Sequence, residues 1–354
     1  MKKFQIVFPC ILLMFSLIGC AIDLSQPEVA TPVNAPSPSA AESGFNLNGQ
    51  IVYSTASAQN DVFTSKIQML DLATSETQTV FTVVGNAWIY YLAVAPDEKQ
   101  LIMSYAPPFQ PGDESGTGLY RLPLDGSSAP QILFALPTIS DRYLQVEWSP
   151  DGKYIYFVHY NLRTQSSEEI FPHYEIFRMA YPAGQPEKIL DHAFYPRISA
   201  DSSQLLYVSL DPISGTNQLF TANVDGSNPQ EIKLLDHHSI IDAPIFSPDG
   251  QAVIFSAASP SQTYQPNWLD RLMGVQVVHA HNVPSDWWSV PISGGTSTRL
   301  TQLQTTKLFA SISPDKKHIA SSSADGIFVM QPDGSNLIQV VSDPGISSTL
   351  NWIP

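Results

Sequence analysis

The chain has 354 residues and only two cysteines, Cys10 and Cys20, so no disulfide framework organises a folded part beyond residue 20. Seventeen basic against 32 acidic residues leave a net charge of −15, which excludes a nucleic-acid binder, because that role needs a cationic face to displace counterions. Hydrophobic content of 43% with 14% charged residues excludes wholesale disorder, and 29 prolines against 19 glycines favour turns and short strands over long helices.

The chain opens with the basic Met1-Lys2-Lys3, followed by an apolar stretch from Phe4 to Ile18. That stretch is too short to span about 30 Å of hydrocarbon and reads as the core of a signal peptide over residues 1–19. It ends in Leu17-Ile18-Gly19-Cys20, which resembles the bacterial lipobox. The resemblance implies cleavage before Cys20, a lipid anchor on its sulfur, and an extracytoplasmic location on a bacterial membrane, at the cell surface or in the periplasm. Cleavage would also remove Lys2 and Lys3, taking the net charge from −15 to −17. Each acyl methylene buried in the bilayer contributes about 0.8 kcal/mol, enough in several palmitate-like chains to hold a soluble domain there. Residues 20–44 are rich in Pro, Ser and Ala without apolar periodicity, and are expected to form an extended tether.

From about residue 45 a repeat takes over. Ser149-Pro150-Asp151-Gly152 returns as Ser247-Pro248-Asp249-Gly250, with variants around Asp97, Asp201 and Asp315 and a worn copy at Asn46-Leu47-Asn48-Gly49. Pro presets φ, Asp bonds back to nearby backbone and Gly accepts positive φ, so the motif is a tight hairpin turn and not a phosphate cradle. Each turn precedes a short β-branched and aromatic run, such as Tyr154 to Val158 or Ala252 to Phe255, and a second run follows, such as Ile176 to Met179. Asp-Gly-Ser at 125, 225 and 333 marks a second turn, and a last strand such as 230–234 closes the unit. The repeat resembles that of the TolB family, a WD-like unit. The resemblance implies an all-β fold over 45–354: a six-bladed β-propeller of four-stranded antiparallel blades, with a blade-five insertion at about 258–286. Blade one lacks its innermost strand, and Trp352-Ile353-Pro354 matches Trp148-Ser149-Pro150. The C-terminal strand, 348–353, is therefore expected to pair beside 50–55 and close the ring.

Alternation along the innermost strands turns Val94, Trp148, Ile198, Phe246, Ile312 and Trp352 into the core. It aims the preceding residues, among them Glu147, Arg197 and Asn351, at the tunnel, where Glu147 and Arg197 on adjacent blades can pair. The strand order sends every long loop to one face, and seven of the eight histidines lie there or at its rim: His159, His173, His192, His237, His238, His279 and His281. His192, His237, His238, Trp268, His279 and His281 are the candidates for ligand contact. His279-Ala280-His281 puts two imidazoles on one side of an extended segment and is the candidate metal pair, for a divalent ion. Asn267 to Gly274 can form two helical turns carrying Trp268 over the tunnel mouth.

Nucleophile-elbow, P-loop, dinucleotide-binding and His-Glu-x-x-His motifs are absent from the sequence. The sequence thus points to a monomeric, non-catalytic binding or scaffolding module of the cell envelope without a cofactor, contacting a protein or glycan partner through its long-loop face. The TolB resemblance implies partners in the envelope. The alternative is a metal-dependent carbohydrate lyase or hydrolase with a histidine-lined site at the tunnel mouth.

Overall fold

The computed structural model describes residues 46–59, 62–108, 116–134, 141–161, 173–211, 214–238, 240–258, 283–343, 345–346 and 349–354. Cys20, Trp268, His279 and His281 lie outside the described residues, as do the tether and most of the insertion.

Twenty-four strands and no helix occur among the described residues. They form six four-stranded antiparallel sheets, five of them sequential and the first completed by the last strand of the chain, which makes a six-bladed β-propeller. The innermost strands are Trp88–Val94, Asp141–Trp148, Ala193–Ile198, Ile241–Phe246, Phe309–Ile312 and, for blade one, Asn351–Ile353. Gln50 pairs with Ile353, Ile51 with Trp352 and Val52 with Asn351, so the C-terminus supplies the inner strand of the first blade and closes the ring. The ladder is shorter than the expected 348–353; further along, Thr55 bridges Ile346 and Ala56 N donates to Gly345 O at 2.7 Å.

The repeated turn is held by its own side chains. Ser149 Oγ donates to Asp151 Oδ1 at 2.7 Å and accepts from Tyr154 N at 2.9 Å, while Asp151 Oδ1 accepts from Lys153 N at 3.1 Å. Ser199 with Asp201, Ser247 with Asp249 and Ser313 with Asp315 repeat the first contact at 2.6, 2.5 and 2.7 Å. These bonds favour the charged carboxylate, and Asp151 and Asp201 are held down to about 2. The residue after each aspartate is left-handed whatever its identity: Glu98 (φ 57°), Gly152 (72°), Ser202 (58°), Gly250 (72°) and Lys316 (60°).

The core lies in layers between neighbouring blades. Ile51, Leu70, Val329 and Trp352 fill the seam between blades one and six; Ala93, Ile102, Trp148 and Phe157 fill that between two and three. Of the apolar inner-strand set, Trp148, Ile198, Phe246 and Trp352 are buried and Val94 and Ile312 half-buried. Buried aromatic side chains also carry polar ties across the seams. Trp148 Nε1 donates to Ala93 O at 3.1 Å and Trp287 Nε1 to Ser321 Oγ at 2.8 Å, and within blade one Trp352 Nε1 donates to Asn48 O at 3.0 Å, joining the two ends of the propeller. The fourth strand is the weakest element: 230–234 carries only a two-residue strand, Gln230–Glu231.

Candidate functional site

Because every blade is antiparallel, the tight turns emerge on one face and the remaining connections on the other. Three polar constellations and one apolar patch follow from that arrangement.

The first lies at the axis. The residue six before each anchor aspartate is Tyr91, Gln145, Tyr195, Ala243 and Phe309, and the closing strand contributes Thr349 at the equivalent place. These positions converge. Tyr91 packs edge-on against Phe309 at 5.7 Å, and Tyr195 lies 6.4 Å from Phe309. Tyr91 bonds both Gln145 and Tyr195, Gln145 Oε1 accepts from Tyr195 N at 2.7 Å, and Thr349 Oγ1 donates to Leu92 O at 2.8 Å. The local cause is a bulge: register shifts occur within the inner strands of blades two to five, with Gln145, Tyr195 and Ala243 at positive φ. Asp242, beside the last bulge, is buried and bonded to Tyr195 and to Ala243 N. Burial pushes its carboxyl up to about 7, and pushes the Tyr91 phenol up to about 12. This network did not emerge from the sequence reading. Its signal was the column six before the anchor, which is polar or aromatic in five of six places.

The second constellation is a cleft of about 530 Å³ on the tight-turn face, lined by the turns of blades four and five and by Lys316 of blade six. Glu147 and Arg197 also line it, with Arg197 Nη1 donating to Glu147 Oε2 at 2.8 Å. Burial raises the Glu147 carboxyl and the Arg197 charge opposes that shift. Asn351 Oδ1 accepts from Val94 N and its Nδ2 donates to Leu350 O at 2.7 Å, so this side chain ties blade one to blade two.

The third constellation is on the long-connection face of blade three, built by Asp141–Trp148, Tyr154–Asn161, His173–Ala180 and Glu187–Asp191. His159 lies between Asp141 (Nε2 to Oδ1, 3.1 Å) and Glu175 (Nδ1 to Oε2, 3.0 Å). Lys188 Nζ donates to Glu175 Oε1 at 2.8 Å and to Asp191 Oδ2 at 3.4 Å. His173 Nε2 is 2.6 Å from Asp191 Oδ1, and its ring stacks on His192 at 4.8 Å. Burial pushes Asp191 up, but the His173 and Lys188 contacts outweigh it and hold the carboxyl below its ordinary range.

The other histidine candidates separate. His238 bonds Asp236 and Ser297, each at 2.8 Å, and packs on Trp288, whereas His237 is exposed. At the base of the blade-five insertion, buried Asp286 accepts from Arg299 Nη2 at 2.5 Å and from Gln304 N at 3.1 Å.

An apolar patch joins the same face between blades one and two. Phe63 and Trp88 rings lie 4.2 Å apart and Trp88 stacks on Tyr90 at 6.4 Å. Val62, Val84 and Trp88 are 48%, 58% and 44% exposed, high for large apolar side chains gathered at one spot.

The architecture defines a six-bladed β-propeller, and its fold is that of the TolB-like propellers. TolB from Acinetobacter baumannii matches with a TM-score of 0.58 at 16% identity, over 86% of this chain and 67% of that one. Putative TolB from Agrobacterium tumefaciens matches at 0.57 and 17%, over 86% and 99%. Oligogalacturonate lyase in complex with manganese matches at 0.51 and 14%, over 83% and 81%. At such identities the likeness establishes the fold. No family model and no curated protein matches the sequence.

Proposed function

We propose that this chain is a lipid-anchored, extracytoplasmic propeller that acts as a non-catalytic binding module, docking an envelope protein on its long-connection face. The observation that carries the reading is the patch in which Trp88, Val62 and Val84 are exposed and the half-buried Phe63 and Tyr90 rings back Trp88. Exposed aromatic clusters of this kind anchor protein partners, because a flat ring buries much area at little entropic cost. The charged residues of blade three would supply a polar contact zone on the same face. A closed ring is a rigid mount, which lowers the ordering cost of association. The TolB-like fold supports an extracytoplasmic setting, and Leu17-Ile18-Gly19-Cys20 supports the anchor.

Photo-cross-linking in intact cells, with the full chain carrying a reactive group at position 84, tests this. A discrete envelope protein should be captured, and Trp88→Ala combined with Phe63→Ala should abolish the capture while leaving the thermal midpoint within a few degrees. Capture unaffected by those changes would refute the docking face. Palmitate incorporation that persists in Cys20→Ser would refute the anchor. The enzymatic alternative depends on His279 and His281, which lie outside the described residues, and the lyase likeness concerns the fold.

A further inference from the structure

We infer that His173, Asp191 and His192 form a binding site for one transition-metal cation of the Zn²⁺ or Ni²⁺ type, a role beyond the docking function proposed above. One ligand atom from each residue lies within 4.8 Å of the others. Donors around a tetrahedral ion at about 2.0–2.1 Å sit roughly 3.4 Å apart, so small side-chain rotations bring the three into range. The strands dictate this meeting. Glu175 pairs with Asp191 in the ladder, which leaves His173, two residues earlier and on the same side of its strand, beside the end of the outer strand. His192 follows Asp191 directly, and its ring lies against His173 with an interplanar angle of 29°.

The donor chemistry selects the ion. Two imidazoles and one carboxylate suit borderline transition metals, whereas Ca²⁺ and Mg²⁺ take oxygen-rich sets. Three protein donors leave the fourth tetrahedral position to water. Neighbouring groups fix the carboxylate: Lys188 holds Asp191 Oδ2 at 3.4 Å, while Oδ1 faces the His173 imidazole and accepts from His192 N at 3.2 Å. Glu175 Oε1 stands 3.7 Å from His173 Nε2 and adds negative charge. Such supporting contacts orient ligands and tune affinity. His192 also occupies a left-handed backbone (φ 50°), tied by Leu210 N donating to its carbonyl at 2.8 Å. Glycine adopts this conformation without steric cost, so His192→Gly removes the imidazole without straining the backbone.

Equilibrium dialysis of the full-length chain against Zn²⁺ at neutral pH tests the site. One equivalent should bind, and Zn²⁺ should raise the thermal midpoint. His173→Ala and Asp191→Asn should each weaken binding at least about tenfold. His192→Gly should lose the metal while the metal-free protein melts at the same temperature or higher, which separates ligand loss from misfolding. His237→Ala, on an exposed histidine, should bind as the parent does. No zinc on the parent, or undiminished binding in the three site variants, would overturn the inference.

Discussion

The Asp242 carboxyl accepts a hydrogen bond from the Tyr195 hydroxyl inside the ring, joining blades four and five where the inner strands bulge. The pair is buried, so its protonation is coupled to folding.

The folded carboxyl titrates at about 7 against 3.8 for the free group, so its stabilising contribution is complete below about pH 4 and is lost as pH rises to about 7. The loss amounts to a few kcal/mol. Urea unfolding between pH 4 and 8 should show the decline. Asp242→Asn, which keeps a neutral hydrogen-bonding group in place, should flatten it.

The turn aspartates act in the opposite direction. Asp151 and Asp201, held near 2, contribute stability that is present above about pH 4 and lost as pH falls toward 2. Ser149→Ala removes one of the bonds that hold Asp151 down, and should move the acid-unfolding midpoint of that limb to higher pH.

Glu98, Ser202 and Lys316 occupy the left-handed corner that Gly152 and Gly250 fill in other blades. Replacing each with Gly should raise stability by about 0.5–1 kcal/mol, because the side-chain strain exceeds the entropy that glycine adds to the unfolded chain. The reverse change, Gly152→Ala, should cost about 1 kcal/mol; a Cβ there meets no atom within 4 Å, so the cost is purely conformational. Chemical denaturation of the single variants measures both.

Trp352 closes the ring by packing on blades one and six and by its bond to Asn48 O. Trp352→Ala should cost about 3–5 kcal/mol, and Trp352→Phe distinctly less, in denaturant midpoints at constant slope.

Glu147 and Arg197 give a different pattern. Arg197→Ala alone strands a partly buried carboxylate and should destabilise by about 1–3 kcal/mol. The pair Glu147→Leu with Arg197→Met should be close to neutral, which a double-mutant cycle will read directly.

Sequence alone determined the architecture, because the information is local and repeated. A turn such as Ser149 to Gly152 carries its own hydrogen bonds, and the strand beside it carries its own apolar run, so six copies specify six blades wherever they lie. The match of Trp352 to Trp148 was likewise enough to place the closing strand beside Ile51. The candidate sites were less legible. His192 could be assigned to a face by strand order, but its stacking on His173 depends on a ladder register, and that register sets which side chains overhang a strand end. The contact of Asp242 with Tyr195 depends on bulges at Tyr195 and Ala243, each of which shifts the alternation by one residue and redirects the side chains that follow. Trp88 looks like any core aromatic in a strand, and its exposure is visible only in the folded chain. Local bonding fixes the modules; the angles between modules fix which of their side chains meet, and that was decided by tertiary structure.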